Sequence, residues 1–251
     1  APPAAQRRRL GERLSTGVAV FDTLLPLVRG QRIGLFAGSG VGKSSLLAKF
    51  ARSVDADVVV IALVGERGRE LREFVERVLG PEGMRRSVVV TATSDQSALA
   101  RRRCPLAAMA VAEHFRAQGL HVLYLADSIT RFAEAHREVA LASGETAALR
   151  GYPPSVAQAI MSLAERAGPG PEGEGDITAV FSVLVAGIGI SLSLLLAVFA
   201  DRVVRGGVFY KTMLILPYAV APAVAAVLWV FMFSPSLGVV AYALGKFGFD
   251  W

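Results

Sequence analysis

The stretch AGSGVGKSS (37–45) carries the densest chemical signal in the chain. Gly38, Gly40 and Gly42 let a backbone turn without side-chain clashes, so that successive N–H groups converge on one anion. A helical pattern follows at once, and its N-terminus adds partial positive charge. Lys43 and Ser44 complete the spacing of a phosphate-binding loop in which Ala37 stands in the first glycine position. In such a loop Gly38, Ser39, Gly40, Val41, Gly42, Lys43, Ser44 and Ser45 surround the phosphates. The Lys43 ammonium reaches the β- and γ-phosphates, and the Ser44 hydroxyl offers an oxygen to Mg²⁺. A glycine turn that binds nothing does not account for Lys-Ser in register behind a strand.

Two further segments supply carboxylates. HVLYLAD (121–127) reads as a strand ending in an acid. At the carboxyl edge of a parallel sheet, Asp127 stands beside the phosphates and can hold the water shell of Mg²⁺. GERGRE (65–70) follows another strand pattern. Glu66 there can polarise an attacking water, and Arg67 can meet a γ-phosphate. The same residues also suit a plain charged helix start, where the dipole favours glutamate. Composition leaves both readings open.

These residues need a scaffold, and the hydrophobic pattern predicts one. RIGLFA (32–37), DVVVIALV (57–64), SVVVTAT (87–93) and HVLYLAD are short continuous apolar runs, as expected of strands buried on both faces. Helical patterns lie between and after them, over Lys43–Arg52, Arg69–Leu79, Gln96–Gln118 and Thr130–Leu141. Alternation of strand and helix predicts an α/β fold, a parallel sheet with helices on both faces. RGYPPS (150–155) is expected to be a loop, because its prolines remove donors and disfavour helix before them. AGPGPEGEGD (167–176) is expected to be a flexible acidic connection.

The charge is unevenly placed. Only four of 27 lysines and arginines, and two of 21 acidic residues, follow Asp176. The net charge of +6 includes the tracts Arg7-Arg8-Arg9 and Arg101-Arg102-Arg103. No aromatic residues interleave with them, so they predict solvated or subunit-facing surface and no nucleic-acid partner. The single Cys104 excludes an internal disulfide and fits a reducing compartment. His114, His121 and His136 lack metal-ligand spacing and read as surface or packed side chains. The opening APPAAQRRRLGERL has no apolar core and reads as a linker from mid-protein.

The last part of the sequence reads differently. Between Asp176 and Asp201 lie 24 uncharged residues, and between Lys211 and Lys246 lie 34. A helix of the first length extends roughly 36 Å, more than a hydrocarbon core of about 30 Å. Two membrane helices are therefore predicted, near Phe181–Ala200 and Thr212–Phe233, in contact with lipid through residues 181–251. The loop between them carries Arg202, Arg205 and Lys211, which favours a cytoplasmic position. The overall expectation is an α/β ATP-binding core over 1–179 and a two-helix membrane unit over 180–251.

Several motifs in order carry a family resemblance. RLSTGVAVFDTLLPLVRGQRIGLFAGSGVGKSSLL, VVVIALVGERGRELREF, SVVVTATSDQSALARRR, HVLYLADSITRFAEAHRE and RGYPPSV resemble the catalytic core of the flagellar and type III secretion export ATPases, relatives of the rotary ATP synthase catalytic subunits. The resemblance covers about residues 7–180. It implies a RecA-like P-loop core, Mg-ATP hydrolysis, a hexameric ring, and export substrates unloaded at the cytoplasmic face of the bacterial inner membrane. It also implies phosphate and Mg²⁺ contacts for Lys43 and Ser44, a catalytic carboxylate in Glu66, a γ-phosphate contact for Arg67 and a second Mg²⁺ residue in Asp127. Such ATPases continue into the rest of the core, with an arginine finger worth about 10³–10⁵ in rate. None is identified in this sequence, so the core is expected to be incomplete, with weak nucleotide binding and little turnover.

Residues 180–251, with LPYAVAPAVAAVLWVFMF the most telling run, resemble an internal piece of an ABC-transporter permease of the sugar and glycerol-3-phosphate uptake type. The two resemblances overlap at VLV, which predicts a chimera joined near Ala179–Val185. One conflict follows: residues 177–185 cannot pair in a sheet and cross a bilayer together.

Overall fold

A parallel strand with helices over both faces meets no water on either side, so its side chains need not alternate in polarity. HVLYLAD and most of DVVVIALV behave in this way. RIGLFA and SVVVTAT do not, because they form the two edges of the main sheet. Residues of the first alternate between exposed and half-buried, and most of the second are half-buried. The computed structural model describes residues 2–38, 42–148 and 151–184. Its first elements are a two-residue strand pair, β1 (Arg13–Leu14) and β2 (Leu27–Val28), with the short helix α1 (Ala19–Thr23) between them. Then β3 (Arg32–Ala37) leads into α2 (Lys43–Ser53), and β4 (Val58–Glu66) into α3 (Gly68–Glu73). A π-helical segment, Phe74–Leu79, and α4 (Gly80–Met84) lead to β5 (Ser87–Thr93). The chain continues through α5 (Ala98–Ala117), β6 (Val122–Asp127), α6 (Ile129–Ala142), α7 (Pro154–Arg166), β7 (Gly168–Pro169) and β8 (Asp176–Leu184).

The main sheet runs β3-β8-β6-β4-β5, all parallel, with β7 antiparallel against β8. One face packs Leu47, Phe50, Ile61, Leu63, Leu123 and Val180 against α2 and the π-helical segment. The other packs Val60, Tyr124, Phe132, Leu163, Ile177 and Phe181 against α5, α6 and α7. Tyr124, fully buried, keeps its hydroxyl satisfied by donating to the Pro105 carbonyl at 2.9 Å. The expected parallel α/β sheet is present.

Four expectations need correction. RGYPPS is not wholly a loop: α7 starts at Pro154, with Pro153 at its N-cap. A proline at the first helical position loses no hydrogen bond, because that N–H has no intrahelical acceptor. The acidic connection 167–176 is anchored at its end: Asp176 is buried and accepts hydrogen bonds from Arg8 at 2.7 Å, Arg29 at 2.7 Å and Gly170 N at 3.2 Å. Of the N-terminal arginines, Arg8 and Arg9 are exposed as expected, but Arg7 and Arg8 are also tied to the body of the protein. Arg7 pairs with Glu165 as well as Arg8 with Asp176, because a guanidinium can serve several carbonyls and a carboxylate at once. Lastly, the membrane helix expected from Phe181 does not begin there. Phe181–Leu184 lie in β8, hydrogen-bonded between β3 and β6. The remainder of both expected membrane helices lies outside the described residues; no described helix is long and apolar enough to cross a membrane. Of the three histidines, His121 and His136 are buried, with ring nitrogens 2.8 Å from Thr178 Oγ1 and 3.1 Å from Ser155 Oγ.

The helix that carries the phosphate-loop lysine is held at its far end by one side chain. Arg86 donates to the carbonyls of Ala51 (2.8 Å), Val54 (2.7 Å) and Ala56 (3.1 Å) around the C-terminus of α2. A cation there satisfies carbonyls without helical partners and complements the dipole. Replacing Arg86 with Met is expected to lower unfolding stability by about 2 kcal/mol in urea titration, since half-buried carbonyls lose charged donors.

Candidate functional site

Parallel strands end at the same edge of their sheet, so residues at the carboxyl ends of β3, β4 and β6 converge although they are distant in sequence. β3 ends at Ala37, and buried Gly38 begins the glycine loop. Ser39, Gly40 and Val41 lie outside the described residues. Gly42 caps α2 in the left-handed region, with φ +87°. A side chain there would meet no neighbour, so it is the backbone conformation that requires glycine. Lys43, Ser44 and Ser45 form the first turn of α2.

β4 delivers the second group. Its ladder with β5 slips between Val64 and Glu66, leaving Gly65 at φ +68° as a bulge. Bulges re-aim the side chains next to them, and Glu66 faces the same cavity as the loop. β6 delivers the third group, Asp127, which is 2% exposed. A cavity of about 350 Å³ unites Gly38, Gly42, Lys43, Ser44 and Ser45 with Glu66 and Asp127. Its far wall is apolar and acidic: Leu71, Phe74 and Val78, with Glu70 and Glu73. Arg67 is exposed at the N-cap of α3 and does not line the cavity.

Two ion pairs cross this cavity. Lys43 Nζ lies 2.5 Å from Asp127 Oδ1. Arg131 Nη1 lies 2.5 Å from Glu66 Oε1 and also donates to the Gly65 carbonyl at 2.9 Å. Burial pushes the Glu66 carboxyl above the usual glutamate range; the Arg131 guanidinium opposes this, while Glu70 and Asp127 add to the rise. Arg131 was not identified from the sequence. It sits in the first turn of α6, four residues after Asp127, and its place in the helical turn that directly follows the acid at the end of β6 was the available signal. Glu70 and Glu73, one turn and two turns along from Glu66, were likewise missed.

A parallel α/β sheet with a glycine loop opening onto a helix and an acid at the end of a neighbouring strand defines a P-loop nucleotide-binding protein. More narrowly, the chain belongs to the ATP synthase alpha/beta family through its nucleotide-binding domain, whose family model matches residues 17–200. That match continues past the join expected at Ala179–Val185. The chain is 56% identical over 187 residues to the flagellum-specific ATP synthase of Agrobacterium fabrum, covering 74% of this chain and 39% of the relative. It is 51% identical over 184 residues to a type 3 secretion system ATPase of Xanthomonas euvesicatoria, covering 73% and 41%. Among solved structures, a prototypical ATPase from the type III secretion system of pathogenic bacteria superposes with a TM-score of 0.70 at 43% identity, over 77% of this chain and 57% of that one. The assembled ATPase EscN of enteropathogenic E. coli, in complex with its central stalk EscO, superposes with a TM-score of 0.69 at 45% identity, over 76% and 46%. The chain spans about two fifths of the length of the curated relatives it matches.

The Lys43–Asp127 pair generates a stability prediction. Its two side chains are only 10% and 3% exposed, so removing one partner strands the other as a poorly solvated charge. Asp127→Asn and Lys43→Met are each expected to destabilise the fold, and the double variant by less than their sum. A double-mutant cycle in urea should give a coupling of about 1 kcal/mol or more; additive effects would show that the two charges do not interact.

Proposed function

We propose that this chain binds Mg-ATP in the cavity at the carboxyl edge of the sheet and hydrolyses it, as the core of a flagellar or type III protein-export ATPase. The observation that carries this is the convergence of Lys43, Ser44, Glu66 and Asp127 on one cavity behind a glycine loop. The donor set suits the cation: a hydroxyl and carboxylates are hard oxygen ligands. Among the described residues no group of three or more His, Cys, Asp or Glu is placed to hold an ion unaided. Mg²⁺ takes one or two protein oxygens and keeps waters and substrate phosphates as its other ligands. Ser44 would hold it directly and Asp127 through water. When bound, the ion would neutralise charge on the phosphates.

The chain's own groups have distinct tasks. Lys43 turns from Asp127 to the β- and γ-phosphates. Glu66 accepts a hydrogen bond from the attacking water, orienting it and taking up its proton. Arg131, beside Glu66, can turn to phosphate oxygens, whereas Arg67 would reach a γ-phosphate only by swinging in from the surface or by serving a neighbouring subunit. By the family's pattern the working form is a homo-oligomeric ring, whose partners are the export apparatus and its substrates at the cytoplasmic face of the membrane. The catalytic core expected over residues 1–179 is extended in this reading to the end of β8 at Leu184. The permease-like, membrane-inserted reading of residues 180–251, and the fusion that follows from it, rest on the uncharged runs and the sequence resemblance alone, and the comparisons lend them no support.

Lys43→Ala is expected to abolish binding of a fluorescent ATP analogue to the full chain; unchanged binding would overturn the proposal. Glu66→Gln should retain binding and lose about 10²–10⁴ in turnover. The pH dependence has a defined sign. A base acts when ionised, so turnover rises with pH through the pKa of Glu66, which burial places above the usual glutamate range. Arg131 holds that value down, so Arg131→Met should move the acid limb of the kcat/KM profile to higher pH. An unmoved limb would exclude Glu66 as the titrating base.

A further inference from the structure

The carboxylate of Asp127 has a second donor besides Lys43. The Ser182 hydroxyl donates to Asp127 Oδ1 at 2.7 Å, and Ser182 is fully buried. Ser182 stands in the central strand β8, paired with Leu35 of β3 two residues before the glycine loop begins and one step beyond the Ala126–Phe181 pair of β6 and β8. It therefore touches the acid strand from the one strand that is bonded to both the loop strand and the acid strand. Lys43 and Ser182 share Oδ1, and neither bond uses Oδ2.

We infer that Ser182 is a positioning residue for the metal-binding role of Asp127. The inference rests on the nucleotide-binding reading above. When ATP enters, Lys43 must leave Oδ1 for the phosphates, and the carboxylate loses its cationic donor. The Ser182 hydroxyl then remains to hold Oδ1, fixing the carboxylate plane and directing Oδ2 to the water shell of the ion. A hydrogen bond from a neutral donor to a charged acceptor is strong enough to select one rotamer of a short side chain. Ser182 itself contacts neither nucleotide nor ion. Its removal should therefore weaken the part of binding that depends on Mg²⁺ and spare the part that depends on the loop and Lys43.

The test uses the full chain and a fluorescent ATP analogue, titrated with Mg²⁺ and with EDTA. Ser182→Ala should weaken binding about tenfold in Mg²⁺ and less than twofold in EDTA. Ser182→Thr, which keeps the hydroxyl on a β-branched side chain suited to a strand, should restore the Mg²⁺-dependent tightening. Equal binding of Ser182→Ala and the unaltered chain in Mg²⁺ would overturn the role of Ser182 alone. So would an equal loss in Mg²⁺ and EDTA, which marks general damage to the site. An unaltered chain that binds no ATP in either condition would overturn the nucleotide-binding reading and, with it, the role of Ser182.

Discussion

A carboxylate removed from water must be matched by donors or give up its charge, and Asp127 is 2% exposed. Its donors come from two other elements: an ammonium from the first turn of α2 and a hydroxyl from β8. This single group therefore joins the strand that presents it, the helix that follows the glycine loop and the strand between β3 and β6. The geometry of the cavity is inherited from that junction. Lys43 can lie beside Asp127 only because it opens α2 directly after the Gly42 cap, and α2 is held at its other end by Arg86. Ser182 can reach it only because β8 enters the sheet beside β6 in register.

Much of this was legible in the sequence because the relevant rules are local. A continuous apolar run bounded by turn residues identifies a strand of a covered sheet, and RIGLFA and SVVVTAT have the bounds expected of them, although as edge strands they are only partly buried. Glycine spacing with Lys-Ser is likewise local, and so is an acid at a strand's end. The misses share a different cause. Arg7 and Arg8 looked like solvated charge because their partners Glu165 and Asp176 lie 158 and 168 residues away. Composition reports that an arginine exists but not which carboxylate the fold brings to it. Pro153-Pro154 was read as a break, whereas a proline at the first helical position begins a helix as readily as it ends one. Arg131 lies within HVLYLADSITRFAEAHRE and Ser182 within the uncharged run after Asp176, yet their roles depend on which strands are neighbours, and strand order is not written in any one segment.

The stretch after Asp176 illustrates how two local rules can compete. Apolarity without charge satisfies both a strand in a fully covered sheet and the start of a membrane helix. Backbone pairing decides between them for residues 176–184. β3 and β6 each present an unpaired edge toward the gap that β8 fills, and leaving those N–H and C=O groups dry and unpaired would cost far more than any gain from lipid. The polar residues of the stretch agree with this. Thr178 accepts from Gly30 N and meets the His121 ring, and Ser182 donates to Asp127. A membrane helix has no need of hydroxyls at those positions; a strand crossing the floor of an ionic site does.

The two ion pairs across the cavity also set an order of events. Lys43 and Arg131 are the cations best placed to meet phosphate, and each is held by a carboxylate. A phosphate that enters must exchange both partners, and each exchange leaves a carboxylate behind. For Asp127, on the proposed function, the freed charge would be stabilised by the Ser182 hydroxyl and a divalent cation. For Glu66 it would not be: the departure of Arg131 would remove the influence that opposes burial, so the carboxylate would become a stronger base. On the proposed function, the movement that would secure a γ-phosphate would also raise the proton affinity of the group beside it. Burial already lifts the Glu66 carboxyl above the usual glutamate range against the opposing Arg131 guanidinium, and on the proposed function a phosphate that drew Arg131 away would lift it further.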